Sequence, residues 1–528
     1  MRDFQVPGRS VAVGHSGMVA TSNPAAALVG LDVLRSGGNA IDAAVAIAAM
    51  LAVVEPTQTG IGGDCFVLLK RPGHAPVALD GAGWAPKAVN VERLRETGKT
   101  AINPASADAV TVPGALSAWE RLAAEFGALP FDTLLAPAIK AAEDGYAVTE
   151  RLARDWGRQT AKMSATPEAA ELFLNRGAAP AAGARQTNKA LAETLREISR
   201  KGAAAFYRGW IAEDIVGFLR RLGGSHTMED FAEFKAEYVQ PVSCDYRGHR
   251  LWECPPSGQG IIALQIAGML ETFDVARFAP LSAERFHLQG EISRIAYTQR
   301  DAYLCDPSSS EFDWDRLTSS SHVRELASKV SMQKRLADLT PFGAPEHRDT
   351  VYVTVVDKDG IVVSLINSIF DDFGSGLVAP RSGVLLHNRG CGFVLEQGHP
   401  NELAGRKRPL HTIIPALITK DDEAVMSFGV TGGHFQPAGQ LQVLSNALDY
   451  GMSVQEAIDH PRMFARGNSF EVERTVPQQV VTALRELGHP VVTAENPLGT
   501  CHAIWIDRAA GALFGGTDPR RDGLAIGY

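Results

Sequence analysis

Apolar residues recur at helical spacing through the first two thirds of the chain. Asn23 followed by Pro24 is typical of a helix start, because Asn caps free backbone N–H groups and Pro suits the first turn. The Gly pair at 37–38 marks the end of that helix. A second, Ala-rich helix runs from Ala40 and ends before Pro56. Further helices are predicted at 116–126, 131–144, 188–201, 211–222, 283–301 and 323–337.

The last third instead alternates β-branched and polar residues, which is the pattern of strands with one buried face. Residues 351–356 and 360–368 flank the turn 357–360, whose Asp-Gly end indicates a β-hairpin. We expect an irregular segment at 465–478. More strands are predicted at 383–387, 412–418, 425–430 and 503–507.

A chain of 528 residues would, at roughly 150 residues per domain, contain three or four domains. The sequence has no repeat of fixed period and no linker rich in Pro, Gly or Ser. Because domain boundaries usually fall in such linkers, we expect one intertwined α/β body instead.

The charge balance is acidic: 51 Lys and Arg against 60 Asp and Glu give −9. Binding to nucleic acid or to a membrane surface needs an excess of cations, so neither partner is expected. The longest apolar stretch, 43–54, is too short to span a bilayer. Residues 1–18 lack the apolar core of a signal peptide, and we therefore expect a cytoplasmic protein.

The cysteines lie far apart in the sequence and do not meet histidine at the spacing of a metal site. Reduced thiols are therefore expected, with no metal and no disulfide framework. The Gly-rich segment 60–63 lacks the spacing of a dinucleotide loop and the Lys of a phosphate-binding loop. No cofactor is predicted. The cysteines are Cys65, Cys244, Cys254, Cys305, Cys391 and Cys501.

Common hydrolase signals are weak in this sequence. The segment 14–18 is one residue short of a Gly-x-Ser-x-Gly motif, which leaves Ser16 as a minor alternative nucleophile. The acidic segment 421–423 is typical of a solvated turn. His411 and His434 stand near Gly or Pro, where a single histidine usually makes a structural hydrogen bond.

Asp349 and Thr350 stand at the start of a predicted strand, just after a polar loop at 343–348. On its own, a Thr at this place is an ordinary strand residue. Two Gly-rich turns, at 374–376 and 431–434, offer backbone N–H groups able to hold an oxyanion. Thr350 is therefore a candidate nucleophile.

With these motifs in this order, the chain resembles the γ-glutamyltranspeptidase family of the N-terminal-nucleophile hydrolases. The similarity covers nearly the whole sequence. It implies an α/β fold, a four-layer αββα sandwich with two antiparallel sheets to which both halves of the chain contribute. The matching segments are 37–44, 60–63, 255–260, 300–307, Thr350 with 355–360, 373–376, 407–409, 432–433 and 518–520.

The resemblance also implies a proenzyme that cuts itself between Asp349 and Thr350. The products would be a large subunit, 1–349, and a small subunit, 350–528, that stay together as a heterodimer, which could itself dimerise. The new α-amine of Thr350 has a reference pKa of about 7.7–8.0, which suits a general base. By similarity, the N–H groups of Gly432 and Gly433 would stabilise the oxyanion.

Several substrate-binding positions depart from the family's pattern. Ala82 replaces the Arg that holds the glutamyl α-carboxylate, and Arg389 and Gly392 replace the Gln and Asp that hold the α-amine. Each lost charge-assisted contact is worth about 1.5–3 kcal/mol, which disfavours a γ-glutamyl substrate. Arg389 could bind a substrate anion, or it could be a structural Arg between two loops. Other replacements are Ser368 for Thr, Phe370 for Asn, His411 and Thr412 for a Ser pair, and Val351 for Thr.

These replacements resemble the γ-glutamyltransferase-like amidohydrolases, the subgroup that includes oxamate amidohydrolase. We predict hydrolysis of a small carboxylate-bearing amide through an acyl-enzyme on Thr350. The segment 393–407 is shorter than the family's version with a lid, which favours hydrolysis over transpeptidation. Alternatives are a γ-glutamyl hydrolase or transpeptidase acting on glutathione, a cephalosporin-acylase-like enzyme, and an unprocessed, non-catalytic binding protein. The predicted substrate-binding residues are Ser368, Arg389, His411, Thr412 and His434.

Overall fold

The computed structural model describes residues 5, 8–337, 339 and 350–528. Its strands are β1 (Ala12–Gly14), β2 (Gly17–Thr21), β3 (Asp64–Lys70), β4 (Val77–Gly81), β5 (Tyr146–Ala147), β6 (Arg185–Gln186), β7 (Glu237–Val239), β8 (Val242–Tyr246), β9 (His249–Glu253), β10 (Val351–Asp357), β11 (Val362–Ser368), β12 (Ala416–Lys420), β13 (Glu423–Val430), β14 (Met463–Arg466), β15 (Ser469–Val472), β16 (Val491–Thr493), β17 (Cys501–Asp507), β18 (Ala512–Thr517) and β19 (Leu524–Gly527).

The α-helices are α1 (Pro24–Arg35), α2 (Ala40–Val54), α3 (Val91–Glu96), α4 (Ala115–Phe126), α5 (Phe131–Asp144), α6 (Glu150–Arg158), α7 (Thr160–Met163), α8 (Pro167–Phe173), α9 (Lys189–Lys201), α10 (Ala204–Arg208), α11 (Trp210–Arg221), α12 (Met228–Ala232), α13 (Gly260–Glu271), α14 (Ala283–Tyr303), α15 (Asp315–Thr318), α16 (Ser320–Ala327), α17 (Gln436–Leu448), α18 (Val454–Asp459) and α19 (Gln478–Glu486). Short 3-10 turns lie at Ala107–Ala109, Val275–Arg277, Pro307–Ser309, Arg389–Gly392 and Gly433–Phe435. Among the described helices, none has both the length and the apolar composition required to cross a membrane.

Two seven-stranded antiparallel sheets form the centre of the molecule. The first has the order β1-β18-β17-β13-β12-β9-β8, and the second has the order β19-β2-β10-β11-β3-β4-β7. Each sheet therefore combines strands from before and after Thr350. This interleaving is why no linker separates the two parts of the sequence.

Side chains of β10 alternate between two cores. Val353 and Val355 pack toward helices such as α2, whereas Tyr352 and Val356 pack between the two sheets. The helices α13, α14 and α17 pack on the outer face of the first sheet. The layers thus run helix, sheet, sheet, helix, and the predicted αββα sandwich is confirmed.

Local signals place most of the predicted helices. Asn23 caps α1 by accepting from the backbone N–H of Ala25 at 2.9 Å, and α2 starts with a capping box. The helix predicted at 323–337 is wrong beyond Ala327, because tertiary contacts bind the following backbone groups. The Ser331 carbonyl contacts His287 Nε2 at 2.7 Å, for example.

The strand predictions are partly wrong. β10 and β11 are placed correctly, but they are buried on both faces and not on one as their pattern predicts. The strands β2, β3 and β4 were missed because they are buried on both faces and show no alternation. The strand predicted at 383–387 is wrong, since this segment makes only isolated bridges. The strand predicted at 412–418 begins only at Ala416. The segment 465–478, expected to be irregular, contains β15 and the end of β14.

Acid is expected to destabilise this fold because buried histidines are held neutral. His226 and His502 are at most 1% exposed, and burial lowers their pKa to about 4 and about 3. The unfolded chain binds these protons at an ordinary His pKa of about 6.5. Below pH 6.5, stability therefore falls by about 1.4 kcal/mol per pH unit for each histidine, until the folded pKa is reached.

Chemical unfolding at pH 7, 6 and 5 measures this slope. The substitution His226→Gln should reduce the slope of the unfolding free energy against pH by about 1.4 kcal/mol per pH unit. His15 is exposed, so His15→Gln should leave the slope as in the wild type. An equal slope in all three proteins would contradict the assignment.

Candidate active site

Thr350 precedes β10, and its side chain is fully buried. Its Oγ1 atom lies 3.1 Å from Ser368 Oγ at the end of the neighbouring strand β11. The antiparallel register pairs Val351 with Asn367, so the next position outward brings the two hydroxyls together. The structure thus joins the predicted nucleophile to one predicted substrate-binding residue. Asp349, the other side of the predicted cleavage site, lies outside the described residues.

The strands β10 and β13 face each other across the two sheets. Thr354 Oγ1 donates to Ser427 Oγ at 2.7 Å, and the Tyr352 ring packs on Gly429, where a Cβ atom would lie 2.3 Å from the ring. Residue numbers therefore rise along β10 as they fall along β13. Continued toward the start of β10, this antiparallel arrangement brings Thr350 opposite the turn 431–433, which follows β13.

Two consecutive glycines give this turn its shape. Gly432 has φ +110° and Gly433 has φ +58°, conformations that favour glycine. Gln259 is buried, and its Nε2 donates to the Gly433 carbonyl at 2.9 Å and to the Thr412 carbonyl at 2.8 Å. These bonds fix the orientation of the peptide after Gly433. A turn of this kind presents backbone N–H groups that can hold an anion.

Arg300 supports the same turn from α14. Its NH1 group donates to Gln259 Oε1 at 3.2 Å and to His434 Nδ1 at 2.9 Å. The His434 ring thus accepts at Nδ1, which places its proton on Nε2. Sequence reasoning missed Gln259 and Arg300 as site residues, although both stand within segments that carry the family resemblance.

Arg389 is a buried cation beside these groups, with only 1% of its surface exposed. Its NH1 donates to Thr412 Oγ1 at 3.1 Å, and its guanidinium lies 3.9 Å from the centre of the Phe370 ring. Among the residues that the structure describes, its NH2 has no hydrogen-bond partner. Burial lowers the pKa of Arg389 to about 9. Because a buried charge without full pairing is costly, an anion bound here would be stabilising.

His411 is directed into the interior by Asp64. Its Nε2 donates to Asp64 Oδ2 at 3.0 Å, and His387 Nδ1 lies 3.4 Å from the same oxygen. The backbone N–H groups of Gly83 and Gly114 bind Oδ1. Burial raises the pKa of Asp64, but the two histidines outweigh it and hold this pKa well below its usual range. Burial and a neighbouring guanidinium lower the pKa of His411.

The predicted substrate-binding residues thus divide by position. Thr412 and His434 line a cavity of about 480 Å³, and Arg389 contacts two of its wall residues, Phe370 and Thr412, without lining the cavity itself. His411 does not line this cavity and is instead hydrogen-bonded to Asp64 in the interior. Asp64 was missed by sequence reasoning because a single acid after a Gly-rich turn carries no spacing signal.

A second, charged cleft of about 260 Å³ also borders the residues next to the turn. Thr431 and Thr500 border it, as do Arg151 and Lys162, whereas Asp371 borders both spaces. Thr431, just before the glycine pair, thus borders the charged cleft, and His434, just after it, borders the cavity.

The whole chain is similar to proteins of one family. The profile described as Gamma-glutamyltranspeptidase matches residues 26–528. The chain is 37% identical over 526 residues to the glutathione hydrolase-like YwrD proenzyme of Bacillus subtilis (strain 168). The alignment covers 98% of this chain and 99% of that protein. It is 35% identical over 531 residues to the oxamate amidohydrolase proenzyme of Klebsiella pneumoniae, with coverage of 98% and 99%.

The fold matches the crystal structure of cephalosporin acylase from Bacillus halodurans with a TM-score of 0.93. Identity to that protein is 38%, and the match covers 100% of this chain and 99% of the other. Profile, relatives and fold agree with the resemblance carried by the sequence motifs. The chain therefore belongs to the γ-glutamyltranspeptidase family, and it is an N-terminal nucleophile hydrolase of the γ-glutamyltransferase-like amidohydrolase type.

Proposed function

We propose that this protein is a proenzyme that cuts itself before Thr350 and then hydrolyses a small, carboxylate-bearing amide such as oxamate. Cleavage gives the subunits 1–349 and 350–528, which stay together because each sheet contains strands of both. Thr350 Oγ attacks the preceding carbonyl, the acyl group moves from nitrogen to oxygen, and water hydrolyses the ester. The relatives that carry the word proenzyme in their names support this step.

Turnover uses the same hydroxyl. Thr350 Oγ bonds to the substrate's amide carbon, and its proton passes through the α-amine to the leaving nitrogen as the C–N bond breaks. Water then attacks the acyl carbon and gives one proton to the α-amine. As the ester C–O bond breaks, this proton passes to Thr350 Oγ and the carboxylic acid is released. Ser368 Oγ, 3.1 Å from Thr350 Oγ1, orients the hydroxyl. The N–H groups of Gly432 and Gly433 hold the oxyanion.

The observation that carries the choice of substrate is Arg389. Its buried guanidinium has an NH2 group without a partner among the described residues, and it contacts Phe370 and Thr412, two residues of the cavity wall. A carboxylate is the planar anion that a guanidinium binds with two hydrogen bonds. The named activity of the oxamate amidohydrolase relative agrees with such a substrate.

A γ-glutamyl hydrolase or transpeptidase is the second candidate, because relatives named glutathione hydrolase proenzyme include one from Escherichia coli at 32% identity. A cephalosporin-acylase-like activity is supported by the Bacillus halodurans structure. Ala82 and Gly392 offer no charged group for a glutamyl zwitterion, which weighs against the first. Side-by-side rates with a γ-glutamyl anilide, a glutaryl amide and oxamate separate the three.

The test of Arg389 compares oxamate with its neutral ethyl ester. In Arg389→Gln, kcat/KM for oxamate should fall about 10²–10⁴-fold, the loss expected for two charge-assisted hydrogen bonds of about 1.5–3 kcal/mol each. The value of kcat/KM for amide hydrolysis of the ethyl ester should change little. Because removal of an incompletely paired buried cation relieves its desolvation cost, the variant should melt at or above the wild-type temperature.

The matched control is Arg381→Gln, since Arg381 also stacks on an aromatic ring, 4.3 Å from the centre of Trp210, but is exposed. It should keep both rates. Equal losses for oxamate and ester in Arg389→Gln, or a lower melting temperature with no change in selectivity, would make Arg389 a structural residue instead.

A further inference from the structure

The cavity beside the glycine turn is far larger than an oxalyl group requires. Its volume is about 480 Å³, within the range of about 300–1,000 Å³ for pockets that enclose whole drug-sized ligands. A two-carbon acyl group with its carboxylate displaces only a few water molecules, each of about 30 Å³. Most of the cavity is left for another part of the substrate.

The wall of this cavity is mainly hydrocarbon, with Ile102, Leu304, Phe393 and Val394 among its lining residues. A polar ligand would need wall groups that are available for hydrogen bonding. The apolar wall instead favours burial of hydrocarbon.

Two polar residues in the apolar part of the wall, Asn401 and His399, are already engaged with the protein. Asn401 donates to the Gly392 carbonyl and accepts from the backbone N–H of Leu410. His399 uses both ring nitrogens, one on the Asp301 carbonyl and the other on the N–H of Asn401. These side chains therefore complete the wall without requiring a polar ligand.

The cavity also has a direction. Phe370 and Thr412, which contact Arg389, are buried, whereas the lining residues Thr100, Ala101 and Pro104 are exposed and mark the side open to solvent. In an acyl-enzyme reaction the acyl half stays on the nucleophile while the amine half departs before water enters. The amine half must therefore occupy the open side.

We propose that this cavity binds the amine half of the substrate, and that the substrate is a secondary amide in which a carboxylate-bearing acyl group is joined to a hydrocarbon-rich amine, alkyl or aryl. The inference rests on the proposed function, because the acyl half is taken to be the one that Arg389 holds. It adds the chemical class of the leaving group.

A series of N-alkyl oxamates tests the proposal with the acyl half kept constant. From N-methyl to N-hexyl, kcat/KM should rise about fourfold per methylene, until the cavity is full. Because all members form the same acyl-enzyme, kcat should level off at a common value where deacylation limits the rate. A flat or falling series would overturn the proposal.

Two variants locate the effect. Thr100→Trp narrows the exposed side of the cavity, and Val394→Trp fills part of the cavity from its wall. Each should reduce the preference for N-hexyl over N-methyl oxamate at least tenfold. Val13 is 52% exposed on β1, and Val13→Trp should keep the wild-type preference. A wild-type profile in both cavity variants would place the hydrocarbon elsewhere and overturn the assignment.

Failure of the subsite and failure of the proposed function give different results. If oxamates are hydrolysed at rates independent of the N-alkyl group, the subsite is wrong and the proposed function stands. If no oxamate is hydrolysed, the proposed function is wrong. The same N-alkyl series on a glutaryl or γ-glutamyl acyl half then tests the subsite, and a flat series there overturns it.

Discussion

Replacing Thr350 with alanine is expected to leave one uncut chain of 528 residues that hydrolyses no amide. The same hydroxyl serves for cleavage and for turnover, and removal of a covalent nucleophile typically lowers kcat by about 10⁴-fold or more. Intact mass and N-terminal sequencing measure the first effect, and amide hydrolysis measures the second. The wild type should show a new N-terminus at Thr350.

Two further variants separate chemistry from packing. Thr350→Ser keeps the hydroxyl but loses the branched side chain that fixes the rotamer, so it should be cut and active at a reduced rate. Thr354→Ala removes a buried Thr from the same strand, together with its 2.7 Å bond to Ser427, and should be cut like the wild type. A purified wild type that is active as one chain would refute the mechanism.

The parts of the fold that could be predicted from sequence are those with local signals. The ends of α1 follow from the Asn-Pro start and the Gly pair, and the hairpin of β10 and β11 follows from its Asp-Gly turn. Strands buried on both faces carry no such signal, which is why β2 to β4 were missed. For these strands, only tertiary packing distinguishes a strand from a short buried helix.

The residues of the candidate site also differ in whether local sequence signals predict them. Thr350 and the glycine pair could be found through their motifs, and the structure brings Ser368 to Thr350 as the strand register requires. The roles of Asp64 and Arg300 depend on partners 347 and 134 residues away along the chain, His411 and His434. Sequence spacing contains no information about such contacts. The burial of Arg389 against Phe370 is likewise a tertiary property.

Substitution of alanine for Gly432 is expected to lower kcat about 10²–10³-fold, the usual cost of losing one oxyanion donor. At φ +110° an L-residue is strained, and the added Cβ would lie 3.0 Å from Gly499 Cα. The turn must therefore move, which displaces its N–H groups. The free energy of unfolding should fall by about 1–3 kcal/mol, while KM changes little because the oxyanion forms only during reaction.

The matched control is Gly73→Ala, at a glycine with φ +71° and no atom within 4 Å of the added Cβ. This variant carries a comparable backbone strain, about 1 kcal/mol, away from the nucleophile, and its kcat should equal that of the wild type. Measuring kcat per Thr350 N-terminus removes any difference in processing. If Gly432→Ala lost stability like the control but kept its kcat, the turn after β13 would hold the fold together without stabilising the oxyanion, and the donors would have to be sought elsewhere around Thr350.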